Sequence, residues 1–396
     1  MITLTPPETR LGAGWVKLDL LAHGVELDPS VFCLGRLAPR FAARKNFYNT
    51  PVWQTTDVPL PQELRVGGLV VGLNSYGSSP WLLSRNPEDA LFTLERVDTG
   101  FRLHPELILD LEVFASDLGV ARVANLYGGA ALAFFSPRNC YFFKDGTQCG
   151  FCSLDGTAEE TKEFKSVLSE GDVRQTVRAA LASDGPRIEQ VMIVGGNMRD
   201  LDRGFRHHVT LAAAAADEIE QAGKAEVVSI HIATMPPRDL RLIELLRRFS
   251  NVHVMFNLEV WDRETFSKVC PGKQRDYGRD GMLSALECLR DTIGTYRAHS
   301  VLVTGLEPAE TTVAGATALA EMGISPIINV YHSDRHSRFG LGDRPSFLRL
   351  CEVARGLQGL YGKFPLLPYW RRCGRNSIDA EAERGLFREP IPAFLK

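Results

Sequence analysis

Hydrophobic and polar positions along this chain follow two rhythms, and the change between them organises everything else. From residue 169 onward, short apolar runs alternate with stretches whose apolar residues recur every three to four positions. The first such stretch, "SEGDVRQTVRAALAS" (169–183), opens with Ser169 and Asp172 at capping-box spacing and puts Val173, Val177, Ala180 and Leu181 on one stripe, which predicts a helix. "EQVMIVGG" (189–196) predicts a buried strand that ends in glycines. The same reading gives a helix over 206–223 closed by Gly223, a strand over 226–233, and a helix started by Pro236-Pro237. Strands over 252–260, 299–306 and 325–333 then alternate with helices over 278–293, 308–323 and 345–362. Upstream, residues 119–135 predict two strands about Gly128-Gly129, a hairpin or strand pair that feeds the segment after it.

Counting that strand, the chain takes six strand-helix steps. Regular βα alternation of buried strands implies a parallel sheet with right-handed crossovers, the α/β class. Periodicity alone leaves an open doubly wound sheet and a partial barrel both standing. Before residue 120 the rhythm is lost. Proline-rich stretches separate short apolar runs (68–74 and 91–97), so a small mixed or β-rich region is expected there.

Composition narrows the class of function. With 396 residues, 44% hydrophobic and 23% charged, the chain is ordinary globular material for one large or two modest domains. A net charge of −3 argues against nucleic-acid binding through bulk basicity, while a local basic patch stays open. No uninterrupted apolar run reaches about 18 residues, so no membrane span is expected. The first residues lack the layout of a secretory signal, which predicts a cytoplasmic address. In that reducing compartment eight cysteines are too sparse for a disulfide framework, and a tight group of them points to metal or catalysis.

Such a group exists in "NCYFFKDGTQCGFCSLDG" (139–156), where Cys140, Cys149 and Cys152 follow the first strand. The carboxyl ends of strands are where α/β folds place their chemistry. Thiolates bind zinc or iron-sulfur clusters. A Cys3His zinc site needs a nearby histidine, and the loop and the fifty residues after it contain none. Three thiols on one loop suit a four-iron cluster with one iron open to a further ligand, and Gly150 allows the tight turn between Cys149 and Cys152.

The loop resembles the signature of the radical S-adenosylmethionine (radical SAM) enzymes: three cysteines with an aromatic residue, here Phe151, before the last. Eight residues separate the first two cysteines where three are usual. The strand ends carry further likeness to the biotin-synthase-like branch: "IVGGN" with Gly195, Gly196 and Asn197; "FNLEV" with Asn257 and Glu259, followed by "CPGKQRDYGRDGMLSALECL"; "VTGLEP" with Gly305 and Leu306; and "IINVYHSD" with Val330. The resemblance covers roughly residues 131–335 in order. It implies a partial (β/α)6 TIM-like barrel over 121–345, between a mixed or β-rich N-terminal region (1–120) and a C-terminal helical extension (346–396).

It further implies that Cys140, Cys149 and Cys152 hold a [4Fe-4S] cluster and that the strand-end residues contact S-adenosylmethionine. Reductive cleavage of that cofactor would give a 5′-deoxyadenosyl radical, which takes hydrogen from a small-molecule substrate. Rearrangement or bond cleavage in specialised-metabolite or cofactor biosynthesis would follow, with flavodoxin or ferredoxin as electron donor. The unusual spacing also leaves room for cleavage of another carbon–sulfur bond. Two other classes stand beside this one: a zinc-binding structural or interaction protein, and a conventional α/β enzyme with incidental cysteines.

Other candidates carry two readings each. His332, Asp334, Arg335, His336 and Arg338 suit an anionic substrate or a proton shuttle, or equally a solvated loop. His207-His208 are expected at the surface of a helix start, and His231 and His253 in the core. Cys288 and Cys351 read as packing residues. Cys270 and Cys373 are placed where they could face the site, whereas Cys33 has no assignment. "RKNFYN" (44–49) reads as a loop or a substrate contact, and residues 367–385 close the barrel bottom or reach back over the site.

Overall fold

A computed structural model of the chain describes residues 12–32, 43–44, 60–61, 63–86, 88, 91–108, 123–162, 164–183, 185 and 187–396. Cys33, residues 45–49 and residues 119–122 lie outside that set. The hairpin expected about Gly128-Gly129 is present: β1 (Ala124–Tyr127) runs antiparallel to β2 (Ala131–Phe135), and both glycines lie at positive φ, 59° and 72°. From β2 the sheet continues in parallel through β3 (Gln190–Val194), β4 (Ser229–Ala233), β5 (Val252–Met255), β6 (Ala298–Thr304) and β7 (Ser325–Val330), each hydrogen-bonded to the next.

All six parallel strands contribute to one interior cluster, with Ala131, Ala133, Met192, Ala233, Met255, Val301, Val303 and Ile327 packed together. A flat doubly wound sheet has no such shared inside. Among the described residues β7 does not pair with β1, so the sheet is a partial barrel open on one side.

The outer layer follows its capping chemistry. Helix α1 (Glu170–Ala182) has the expected capping box, with Ser169 N donating to Asp172 at 2.7 Å and Asp172 N to Ser169 Oγ at 3.3 Å. Helix α2 (Leu201–Gln221) starts five residues before its apolar period suggests, because Asp200 accepts from Arg203 N at 3.0 Å and caps it there. His208 therefore faces inward and is buried, a correction to its expected surface position, while His207 is half-buried. The stretch after β4 is a 3₁₀ helix, Leu240–Arg248, capped by Asp239, and not a helix begun at Pro236-Pro237. Asp202 takes the Arg238 and Asp239 backbone N–H groups at 2.7 and 3.1 Å and keeps the proline lead-in out of the helix. Helices α3 (Arg279–Ile293), α4 (Ala309–Glu321) and α5 (Phe347–Tyr361) fall where the periodicity puts them. Two short helices, Arg263–Val269 and Pro271–Asp276, have no counterpart in the pattern.

In the N-terminal region the two apolar runs form strands Leu69–Gly72 and Phe92–Arg96. A helix over Ala13–His23 was not legible beforehand, since it is buried on nearly every side. Its charges are paired as burial demands. Lys17 Nζ meets Glu381 Oε1 and the Gly374 carbonyl, both at 2.8 Å, and Asp19 Oδ2 accepts from Arg96 and Trp81, both at 2.7 Å.

The segment from Tyr369 closes the bottom of the barrel. Tyr369, Trp370 and Cys373 join the interior cluster, and Arg372 approaches Glu189 at 3.6 Å just before β3. This places Cys373 away from the cysteine loop. Above the plug lie three buried histidines on successive strands: His231 and His253 stack with ring centroids 4.7 Å apart, and His253 Nδ1 is 3.0 Å from His299 Nε2. Burial holds all three, and His208, in the neutral form, with pKa pushed down to about 3 for His253 and about 4 for His208.

The sign of the resulting pH dependence follows directly. Above about pH 6.5 the unfolded histidines are neutral too, and these groups add no pH dependence. Below it each unfolded histidine takes a proton that the folded site refuses. Stability then falls by about 1.4 kcal/mol per pH unit per histidine, roughly 3 kcal/mol for His208 alone by pH 4. Urea midpoints are expected to drop between pH 7 and 4.5, with His208→Gln flattening the slope. An unchanged slope in that variant would show that His208 titrates normally.

Candidate functional site

The site is built on the chain between β2 and α1. Leaving β2, Ser136 N donates to the Val194 carbonyl at 2.8 Å, and its hydroxyl binds both His207 Nε2 (2.8 Å) and Leu168 N (2.9 Å). His207 thus braces the first residue of the loop. Gly196 N then reaches the Pro137 carbonyl at 2.7 Å and Tyr141 N the Asn197 carbonyl at 2.9 Å. Three backbone bonds zip the start of the cysteine loop to the end of β3.

Gly195 and Gly196 are there to let this happen. A Cβ on Gly195 would lie 2.6 Å from the Pro137 carbonyl oxygen, and one on Gly196 would run into the Asn139 carbonyl and stand 2.7 Å from Cys140 N. The glycine pair admits a neighbouring backbone, where close approach to a ligand was expected. Asn197 turns its amide to the loop as well, with Nδ2 3.7 Å from Cys140 Sγ.

The eight residues between Cys140 and Cys149 are taken up by a single helical turn, Tyr141–Lys144, and a reversal at Gly146 (φ +66°). The chain returns so that Cys140, Cys149 and Cys152 act electrostatically on one another. Two other segments grip the returning strand. Gly150 N donates to the Val269 carbonyl at 2.7 Å and Gly272 N to the Thr147 carbonyl at 3.0 Å, while Phe339 N donates to the Gly150 carbonyl at 3.0 Å. Glycine is required at 150 and 272 because the rings of Phe339 and Phe142 occupy the space a side chain would take.

The "CPGK" grip brings Cys270 and Lys273 into the site. The Cys270 thiol hydrogen-bonds Cys149, and Lys273 Nζ holds Glu259 Oε1 at 2.6 Å and the Asn257 carbonyl at 2.7 Å, with both charged groups buried. The bond from Cys270, and then the Lys273 charge, lower the Cys149 pKa against burial. Burial raises the thiols of Cys140, Cys152 and Cys270. Burial opposes the Lys273 ammonium too, but Glu259, Cys149 and Cys270 together outweigh it and raise its pKa. Glu259 sits at φ +74°, and its N and O bond Val301 and Val303 at 2.8 and 2.6 Å, which extends β5 alongside β6.

Cys270 was one of two thiols suspected from the sequence. Lys273 had no local signal, since its role depends on a contact 14 residues away with Glu259 and on the loop 120 residues upstream.

The remaining candidates are placed as follows. The Asn257 side-chain oxygen accepts from Val301 N at 3.3 Å. Gly305 lies at φ +107° against Pro345, and Leu306 packs at the barrel interior together with Phe151 of the cysteine loop. The Val330 N–H is taken by the Asn376 carbonyl at 2.8 Å, so it is not open to a ligand. Arg335 and His336 both bind Glu160 Oε1, at 3.2 and 2.6 Å, Asp334 accepts from His336 N at 2.9 Å, and His332 Nδ1 lies 3.4 Å from Asn376 Nδ2. This loop braces the helix after Cys152 (Leu154–Glu160).

Among the described residues no three His, Cys, Asp or Glu side chains are gathered as ligands of a single ion. The donor set is three mutually interacting thiols with a lysine and an amide N–H beside them. Such a set matches a thiolate-held iron-sulfur cluster, whose negative charge is offset by nearby donors and cations. Among the described residues no helix is long and apolar enough to cross a membrane.

No protein-family model matches the chain. A curated relative, bacteriochlorophyllide c C-7(1)-hydroxylase of Chlorobaculum limnaeum, is 26% identical over 233 residues, which is 58% of this chain and 56% of that protein. The chain therefore spans a little over half the length of that relative. Among solved structures, methylornithine synthase (PylB) aligns at 14% identity over 57% of this chain and 61% of its own, with a TM-score of 0.43. A radical SAM methyltransferase from Sphaerobacter thermophilus aligns at 16% identity over 76% of this chain and 82% of its own, with a TM-score of 0.42. The thiol loop thus lies at the mouth of a six-stranded parallel partial barrel, and over 233 residues the chain is similar to that hydroxylase, a radical SAM enzyme.

Proposed function

We propose that the protein is a radical SAM enzyme in which Cys140, Cys149 and Cys152 hold a [4Fe-4S] cluster at the barrel mouth. The observation that supports this reading is a single loop that carries all three thiols and is gripped from three sides by backbone hydrogen bonds. When bound, the cluster and S-adenosylmethionine would supply a 5′-deoxyadenosyl radical able to take hydrogen from a small-molecule substrate.

The chain's own residues prepare for that chemistry. Asn197 Nδ2 donates to the Cys140 sulfur, and Lys273 places a buried cation beside Cys149, so the thiolates are stabilised from opposite ends of the loop. Lys273 also sets the position of the Glu259 carboxylate, a group suited to ribose hydroxyls. Phe151 and Leu306 turn apolar surface toward the barrel interior and keep water from a reactive intermediate. The plug of Tyr369 and Trp370 shuts the opposite end, which leaves the carboxyl ends of the strands as the way in. Beside the loop a groove of about 460 Å³ carries Lys144, Arg199 and Arg203, a rim that suits an acidic electron carrier such as a flavodoxin or ferredoxin.

Anaerobic reconstitution with iron and sulfide tests the reading. About four irons and four sulfides per chain are expected. Reduction in the presence of S-adenosylmethionine is expected to release 5′-deoxyadenosine, and Cys149→Ala to lose both cluster and product. A stoichiometric zinc content with no iron uptake would overturn it.

A further inference from the structure

A second set of polar groups stands without partners away from the cysteine loop. Nε, Nη1 and Nη2 of Arg344 are all buried, and among the described residues none has a hydrogen-bond acceptor. Two further buried polar atoms on the neighbouring segments are likewise unpartnered: Tyr331 OH, on a residue 4% exposed, and Asn74 Nδ2, on a residue 2% exposed. Arg344 lies beneath the Tyr76 ring, 4.8 Å from its centroid, and against Gly24, where an added Cβ would stand 2.5 Å from Nη1 and 2.6 Å from the Asn74 carbonyl.

Burial lowers the Arg344 pKa to about 10, and the groups that act on its charge are the phenols of Tyr76 and Tyr331, with no carboxylate among them. A guanidinium removed from water and given no counter-ion is costly, and an anion placed against it would relieve that cost.

The position fits a ligand of the barrel. Tyr331 follows β7, on the open side of the sheet, and belongs to the interior cluster against which Phe151 and Leu306 pack. Arg344 is on the same loop, one residue before Pro345, which covers Gly305 at the end of β6. The donors thus sit at the seam where the N-terminal region, through Gly24, Asn74 and Tyr76, meets the barrel mouth.

We infer that Arg344, with Tyr331 and Asn74, binds a carboxylate of the substrate. This rests on the proposed enzymatic reading for the word substrate, and on the unpartnered donors alone for the anion. The set offers guanidinium, amide and phenol hydrogens, and the fork of a guanidinium matches a carboxylate in bidentate fashion. One positive charge balances a carboxylate monoanion, whereas a phosphate dianion would leave a buried negative charge unmet.

Calorimetric titration of the reconstituted protein tests it with three probes: benzoate, its neutral isostere benzamide, and inorganic phosphate, each with and without saturating S-adenosylmethionine. Benzoate is expected to bind, at least tenfold more tightly than benzamide or phosphate, and to do so with the cofactor present. Arg344→Met is expected to weaken benzoate at least tenfold while raising the melting temperature, since it removes an uncompensated buried charge that a structural arginine would not carry. Tyr331→Phe gives an independent variant, with a smaller loss of benzoate affinity expected. Equal benzoate affinity in wild type and Arg344→Met, benzamide or phosphate binding as well as benzoate, or loss of the benzoate site when cofactor is added would each overturn the inference. None of these outcomes depends on iron counts or 5′-deoxyadenosine release, so failure here is distinct from failure of the enzymatic reading.

Discussion

Gly196→Ala is expected to abolish cluster loading, whereas Gly359→Ala, the same change elsewhere, is expected to stabilise the protein. At Gly196 the new methyl meets the Asn139 carbonyl and the Cys140 backbone nitrogen, and none of these can rotate away as a side chain would. Relief requires β3 and the loop to part, which breaks the Gly196–Pro137 and Tyr141–Asn197 bonds and moves Cys140 off its position. Overpacking of this kind costs about 1–3 kcal/mol, and here the strain falls on the first of the three thiols. Gly359 is exposed in the last turn of α5 with no atom within 4 Å of an added Cβ, so alanine there gains up to about 1 kcal/mol of helix propensity. Iron and sulfide content after anaerobic reconstitution, read beside the melting temperature, separates the two. Full loading of Gly196→Ala would mean that the zip between β3 and the loop does not set the thiol geometry.

The second large effect is expected from Lys273→Met. Glu259 is 8% exposed and Lys273 6%, so removing the lysine strands a carboxylate in a site closed to water. Losing one member of such a pair costs about 3–5 kcal/mol, while replacing both by apolar groups of similar volume is often neutral. Lys273→Met should therefore lower the denaturation midpoint sharply, and Lys273→Met with Glu259→Met should recover most of the loss. Cluster loading is expected to stay impaired in the double variant, because Cys149 still lacks its cation. A single variant as stable as the parent would mean that the pair is solvated after all.

The contrast between these residues and the barrel explains what could be read beforehand. The strand segment "VMIV" is buried on both faces and appears as an unbroken apolar run, "SIHIA" is fully buried although Ser229 and His231 interrupt its apolar residues, and helices such as α1 announce their start through Ser169 and Asp172. The order of strand-end motifs could be followed for the same reason. The Ala13–His23 helix has no amphipathic signature because Trp15, Lys17 and Asp19 are all buried, leaving no polar face to mark a period. The 3₁₀ segment at Leu240–Arg248 has a helical stripe, but its entry depends on Asp202, far back in α2.

At the site, the cysteines are visible as a cluster and Cys270 as a candidate neighbour, whereas Lys273 carries no signal in the sequence. Which groups surround Cys149 depends on where Cys270 and Lys273 land after two short helices, and no local rule encodes that. The loop from His332 to Arg338 stands out by its charges, whereas Arg344, six residues beyond it, follows Asp343 in an ordinary loop with no pattern to mark it. Its distinction lies in what fails to surround it.

One feature of the barrel bears on how the molecule behaves in concentrated solution. The Asn376 carbonyl receives Val330 N at 2.8 Å, Ile378 N reaches the Ile328 carbonyl at 3.1 Å, and Ser377 bridges Asn329. The tail thereby occupies hydrogen-bonding groups along β7, the last strand of an otherwise open sheet. An uncovered flank of that kind is a template for a second chain to dock edge to edge, the first step of ordered aggregation. Ser377 and its neighbours act as a guard rail against self-association, and a barrel cut free of them would carry a sticky margin along its final strand.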